Sequence, residues 1–121
     1  MTTSADQSAT ELSAMTSEQL DALPYGAIRL TADGTILSYN ATESELSGRD
    51  SSTVIGHNFF TDVAPCTDVR SFHGVFLEMI EHRAVNRHFD FTFPFKVPVH
   101  VRITMLYEHQ KGTVWVLVSR S

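Results

Sequence analysis

The chain has 121 residues, 42% of them hydrophobic and 10% aromatic, which is one domain able to bury its own core. Its one cysteine excludes an intramolecular disulfide framework and any CxxC redox or zinc motif. Nine Lys and Arg against fourteen Asp and Glu leave a net charge of −5, which argues against the basic face that a nucleic acid requires.

Residues 1–15 (MTTSADQSATELSAM) are polar and aperiodic and are expected to form a mobile arm. They lack the basic opening and apolar core of a signal peptide, and no apolar run reaches the ~20 residues of a membrane span. A cytoplasmic chain without a membrane partner is the expectation. A single domain then covers 16–121, opening with a cap helix over 16–25. Thr16 and Gln19 fit a capping box, Leu20 and Leu23 supply one apolar face, and Pro24 stops the helix. So short a helix must pack on something.

A hairpin follows, with 27–30 and 35–39 as β-rich runs around Asp33-Gly34. Asn40 reads as a helix cap, with Glu43 three residues on and Gly48 as the stop. Residues 49–71 mix turn formers with short apolar bursts, which predicts one or two brief helices ending at Pro65-Cys66. Phe72, Val75, Phe76, Met79 and Ile80 then recur at helical spacing, predicting a helix over 72–84 capped by Ser71. Beyond it the period switches to two. Phe89, Phe91, Phe93 and Phe95 alternate, then Val99, Val101, Ile103 and Met105, then Val114, Val116 and Val118, with a turn at Gln110-Lys111-Gly112. Pro94 suggests an edge strand or a bulge. The order predicts an α+β fold: a five-stranded antiparallel sheet, short helices on one face, and an N-terminal helical cap. It looks like a PAS domain, with a cavity between sheet and helices.

Taken singly, the candidate residues have plain explanations. Cys66 reads first as a small buried hydrophobe, since a nucleophile needs thiolate character and a nearby base. His57 or His73 could approach it only in space. Glu43 could complete a capping box on the surface. Tyr39 would be half-buried with its hydroxyl satisfied, and Arg49 solvated. The six histidines have no metal-binding spacing.

Taken together, the residues point elsewhere. Leu37-Ser38-Tyr39-Asn40-Ala41-Thr42-Glu43, Gly48-Arg49-Asp50 and the run from Val54 through Ala64-Pro65-Cys66-Thr67-Asp68 closely resemble the photoactive yellow protein family. The resemblance also takes in 20–28 and Trp115-Val116-Leu117-Val118, and runs from about residue 15 to the end of the chain. It implies a blue-light receptor, not an enzyme, carrying 4-hydroxycinnamic (p-coumaric) acid as a thioester on Cys66. Tyr39 and Glu43 would hydrogen-bond the phenolate oxygen. Ser47 would support Tyr39 where the family commonly has threonine, and Arg49 would cover the pocket. Ile28, Phe59, Val63, Ala64, Thr67, Phe91, Phe93 and Val97 fall on pocket positions.

The implied scheme is trans-to-cis isomerisation, proton transfer from Glu43, and partial unfolding as the signalling state. Phe91 stands where tyrosine is common. Val97 stands where a methionine associated with re-isomerisation is expected, in a loop one residue short, which implies slow dark recovery. The implied partner is a downstream signalling protein, and the chain is expected to be a monomer. Two other readings stay open: a PAS module binding a different ligand or a partner with Cys66 inert, and an enzyme using Cys66. Covalent yellow colour on adding activated chromophore separates the first reading from both.

Overall fold

The computed structural model describes residues 5–120. The alternating runs form one antiparallel sheet from Gly26–Thr31 (β1), Ile36–Tyr39 (β2), Asn86–Phe93 (β3), Val99–Glu108 (β4) and Thr113–Arg120 (β5). Their order is β2-β1-β5-β4-β3, as the α+β expectation requires. Register places Ile28 opposite Val116 and Val116 opposite Met105, so alternate residues of three strands share a face. Ile28, Ile103, Met105, Val114 and Val116 on that inner face are buried with Phe60, Phe72 and Phe76 from the helical layer. Each such side chain contributes roughly 1.5–3 kcal/mol by leaving water.

The helical layer consists of Ala41–Ser47 (α3), Ser51–Val54 (α4) and Val75–Glu81 (α5), with tighter and wider turns between them. The helix expected over 72–84 differs in detail. Arg70–Gly74 winds as a π-helical turn entered from Val69, not capped by Ser71, and regular α-helix runs only over α5. The wider turn lets Phe72 sink edge-on among Phe89 and Phe91, with ring centroids 5.4 and 5.0 Å away. Pro94 does not interrupt β3, which ends at Phe93 on the edge of the sheet.

The expected arm is the larger correction. Residues 1–4 lie outside the described residues, but Ala5–Ala14 forms a helix (α1). Ala9 and Leu12, one turn apart, are buried against Ala27, Leu106 and Trp115 on the outer face of the sheet. Period two is the reason. The alternation that turns Val114 and Val116 inward puts Trp115 outward, and so large an apolar surface needs cover. Met15, Leu20 and Leu23 extend that cover. Leu20 lies on Ser17–Asp21 (α2), whose capping box forms as expected: Gln19 N–H donates to Thr16 Oγ1 at 3.2 Å and Thr16 N–H to Gln19 Oε1 at 2.9 Å.

Candidate functional site

Asn40 organises the site. Its buried carboxamide oxygen accepts from Glu43 N–H at 3.0 Å and Ala27 N–H at 2.9 Å, while its amide donates to Leu20 O at 2.8 Å and Tyr25 O at 3.1 Å. The first turn of α3 is thereby fixed to β1 and to the α2 segment, and Glu43 is turned inward. It is not a surface capping-box residue. Glu43 is 5% exposed, its Oε1 has no hydrogen-bond partner, and Asn40 N–H donates to Ala27 O instead. Burial pushes the Glu43 carboxyl up to about 8, so it holds its proton at neutral pH.

Gly48, at φ 75°, ends α3 in the left-handed conformation that glycine favours. That turn brings Ser47 back to Tyr39, whose hydroxyl donates to Ser47 Oγ at 2.7 Å, while Arg49 N–H reaches the same oxygen at 3.2 Å. Burial, opposed by the Ser47 hydrogen bond, pushes the Tyr39 hydroxyl up to about 12. Cys66 sits in the 3₁₀ turn Pro65–Thr67, closed by the Thr67 hydroxyl donating to Ala64 O at 2.6 Å. Partial burial pushes its thiol up from the ordinary value. The His73 ring is paired through Nδ1 with Asp68 at 2.7 Å and stacked on Phe60 at 3.9 Å.

Tyr39, Glu43, Ser47, Arg49 and Cys66 line one cavity of about 330 Å³, at the small end of the ~300–1,000 Å³ of small-molecule sites. Phe59, Val63, Ala64 and Phe93, which the resemblance puts at pocket positions, are among its apolar walls. Four expected residues lie outside the lining. Ile28 is sealed within the core, Thr67 is buried in its turn, and Phe91 packs edge-on against Phe72 and Phe93. Val97 is 76% exposed, in the loop between β3 and β4. Sequence reasoning missed Phe95, Val99 and Val101 as lining. Their shared parity with Phe93 on the alternating runs was the available signal.

A largely apolar cavity, open to solvent at one side, with two protonated oxygen donors and one acylatable sulfur suits a covalently held ligand bearing an anionic oxygen. Among the described residues no cluster could hold a metal ion, and no helix is long and apolar enough to cross a membrane. The pattern described as the PAS fold matches residues 14–120. The photoactive yellow protein of Rhodothalassium salexigens is 43% identical over 103 residues, covering 84% of this chain and 82% of that protein. The chain belongs to the photoactive yellow protein family. The photoactive yellow protein of Halochromatium salexigens is 38% identical over 110 residues, covering 90% and 88%. The crystal structure of the photoactive yellow protein domain from the sensor histidine kinase Ppr of Rhodospirillum centenum has a TM-score of 0.87. It is 41% identical and covers 92% of this chain and 98% of that one. The chain is thus a PAS-fold photoreceptor and not an enzyme.

Proposed function

We propose that this chain senses blue light through p-coumaric acid joined as a thioester to Cys66 Sγ, its phenolate oxygen held by Tyr39 and Glu43. The observation that carries this reading is the buried, unpartnered Glu43 Oε1 beside the same cavity that Cys66 lines. Attachment needs an activated acyl donor, an anhydride or thioester of the acid. The Sγ–C bond forms, the donor's leaving group departs with its electron pair, and the thiol proton passes to it or to solvent. Once bound, the group supplies absorption of blue light and a double bond that turns from trans to cis.

The protein's own residues do the rest. Neutral Tyr39 and protonated Glu43 donate to the anion and offset the cost of burying it. A second anion beside the first is disfavoured, so Glu43 stays protonated in the dark. Ser47 orients Tyr39, and Arg49 closes the mouth. Glu43 would be the residue that passes its proton to the phenolate oxygen, which would leave a carboxylate in a nearly dry site. Local opening that admits water relieves it. Asn40 ties Glu43 to the α2 segment, so that segment is the one to loosen. A signalling module such as the kinase joined to the solved relative is the partner class, read by a cytoplasmic, monomeric sensor.

The test is reconstitution of the protein and Cys66→Ala with the activated acid, followed by intact mass and visible spectra before and after blue light. The expected result is one added acyl group and a light-bleachable band in the parent alone. A normal band in Cys66→Ala, or none in the parent, overturns the reading.

A further inference from the structure

Gly26 occupies an inner-face position of β1, where period two next places Ile28 and Leu30. Glycine there leaves a notch the size of a side chain, and the Glu43 carboxyl fills it. A Cβ on Gly26 would stand 2.0 Å from Glu43 Oε1, 3.1 Å from its carboxyl carbon and 3.2 Å from its Cβ. A side chain at 26 and this placement of Glu43 exclude each other. No dihedral demands glycine, since Gly26 is not among the residues with positive φ. Glycine also weakens a strand interior and commonly marks a close approach. Its register partner Val118 lines the cavity, so the notch adjoins the cavity wall. On the other side the α3 backbone is held by Asn40 and cannot retreat.

We propose that Gly26 is a positioning residue whose missing side chain seats the Glu43 carboxyl, and so fixes where the proton donor stands. This rests on the reading of Glu43 as the donor to the chromophore. With α3 fixed, a Cβ at 26 can only turn the carboxyl toward the open cavity, where water reaches it more easily.

The test uses Gly26→Ala, Glu43→Asp and the double variant. The protonation of residue 43 is followed against pH by infrared spectroscopy on isotope-labelled, chromophore-free protein. Gly26→Ala should lower the proton affinity of Glu43 about tenfold or more from its buried value. The loaded variant should shift its visible band as Glu43→Gln does. Aspartate is one methylene shorter, so the double variant should regain stability that Gly26→Ala loses. An unchanged titration in Gly26→Ala overturns the proposal. If Gly26→Ala fails to fold, a folded double variant supports the seat and an unfolded one overturns it. A moved titration in a protein that never acquires a band keeps the seat and removes the chromophore reading. An unmoved titration in a protein with a normal band does the reverse.

Discussion

The indole N–H of Trp115 donates to Ser13 Oγ at 2.9 Å, tying the end of α1 to the last strand across 102 residues of chain. Ser13 in turn donates to Glu108 Oε1 at 2.5 Å. The same carboxylate oxygen takes Arg29 at 3.2 Å, and the Arg29 guanidinium lies 5.7 Å from the Trp115 ring centroid. A serine that accepts from one partner and donates to the next joins α1 to β1, β4 and β5 at once.

Ser13→Ala should therefore leave the buried indole N–H unmet and remove one bond from a carboxylate that is only 3% exposed. The expected loss is about 1–3 kcal/mol. It should be seen as a lower urea midpoint with faster amide exchange confined to α1. An unchanged midpoint would mean that Ala9 and Leu12 alone hold the helix.

Asn40→Ala removes four hydrogen bonds and strands the N–H groups of Ala27 and Glu43. A lost cap plus unmet buried donors costs about 3 kcal/mol. Asn40→Asp keeps the two acceptor bonds but loses both donors, so denaturant melts should place it between Ala and the parent. Equal melts for the two variants would mean that the link to the α2 segment dominates.

Without chromophore, Glu43 has its proton affinity raised from the ordinary 4.5 to about 8 in the folded state. Between those values the folded state binds more protons than the unfolded state, so this stability is fully present below about 4.5 and is lost as pH rises through about 8. At ~1.4 kcal/mol per tenfold change in proton affinity, the effect is on the order of 5 kcal/mol across the whole range. Urea melts at several pH values should show the decline in the parent and not in Glu43→Gln. With chromophore bound, Glu43→Gln should move absorption to longer wavelength, because a weaker donor lets phenolate charge spread.

No methionine is among the residues lining the cavity. Dark recovery should accordingly be slow, with each ~1.4 kcal/mol of added barrier costing tenfold in rate. Val97 lies in the loop between Phe95 and Val99, both of which line the cavity. An unbranched, polarisable methionine there can reach over that rim where stiff, short valine cannot. Val97→Met should speed recovery about tenfold, with Lys96→Met as the control for register, measured as return of absorbance after a blue flash. Recovery in well under a second in the parent, or the same rate in all three proteins, would remove the methionine argument.

The sheet was legible because alternation over β3, β4 and β5 is a period that only a strand satisfies. The surroundings of Cys66 were legible through resemblance, since no periodicity singles out a cysteine. The α1 helix was not legible. Among its described side chains the buried ones are one alanine and one leucine beside polar neighbours, and its anchor is a serine whose partners stand 95 and 102 residues away. The inward turn of Glu43 was ambiguous for a related reason. Asn40 followed by Glu43 has the same spacing whether the acid faces water or the core, and the long-range bonds of Asn40 and the contact with Gly26 separate the two.

The strand order has a consequence for how the sensor is made. β5 lies between β1 and β4, and its Val118 helps wall the cavity. On the ribosome, β1 and β2 emerge first and β3 and β4 pair later, yet neither hairpin has its central neighbour until β5 has left the exit tunnel. The cavity is therefore completed by the strand of this sheet that comes last in chain order. The proposed acylation of Cys66 would then follow the pairing of β5, and nascent chains stalled before β5 should take up no pigment.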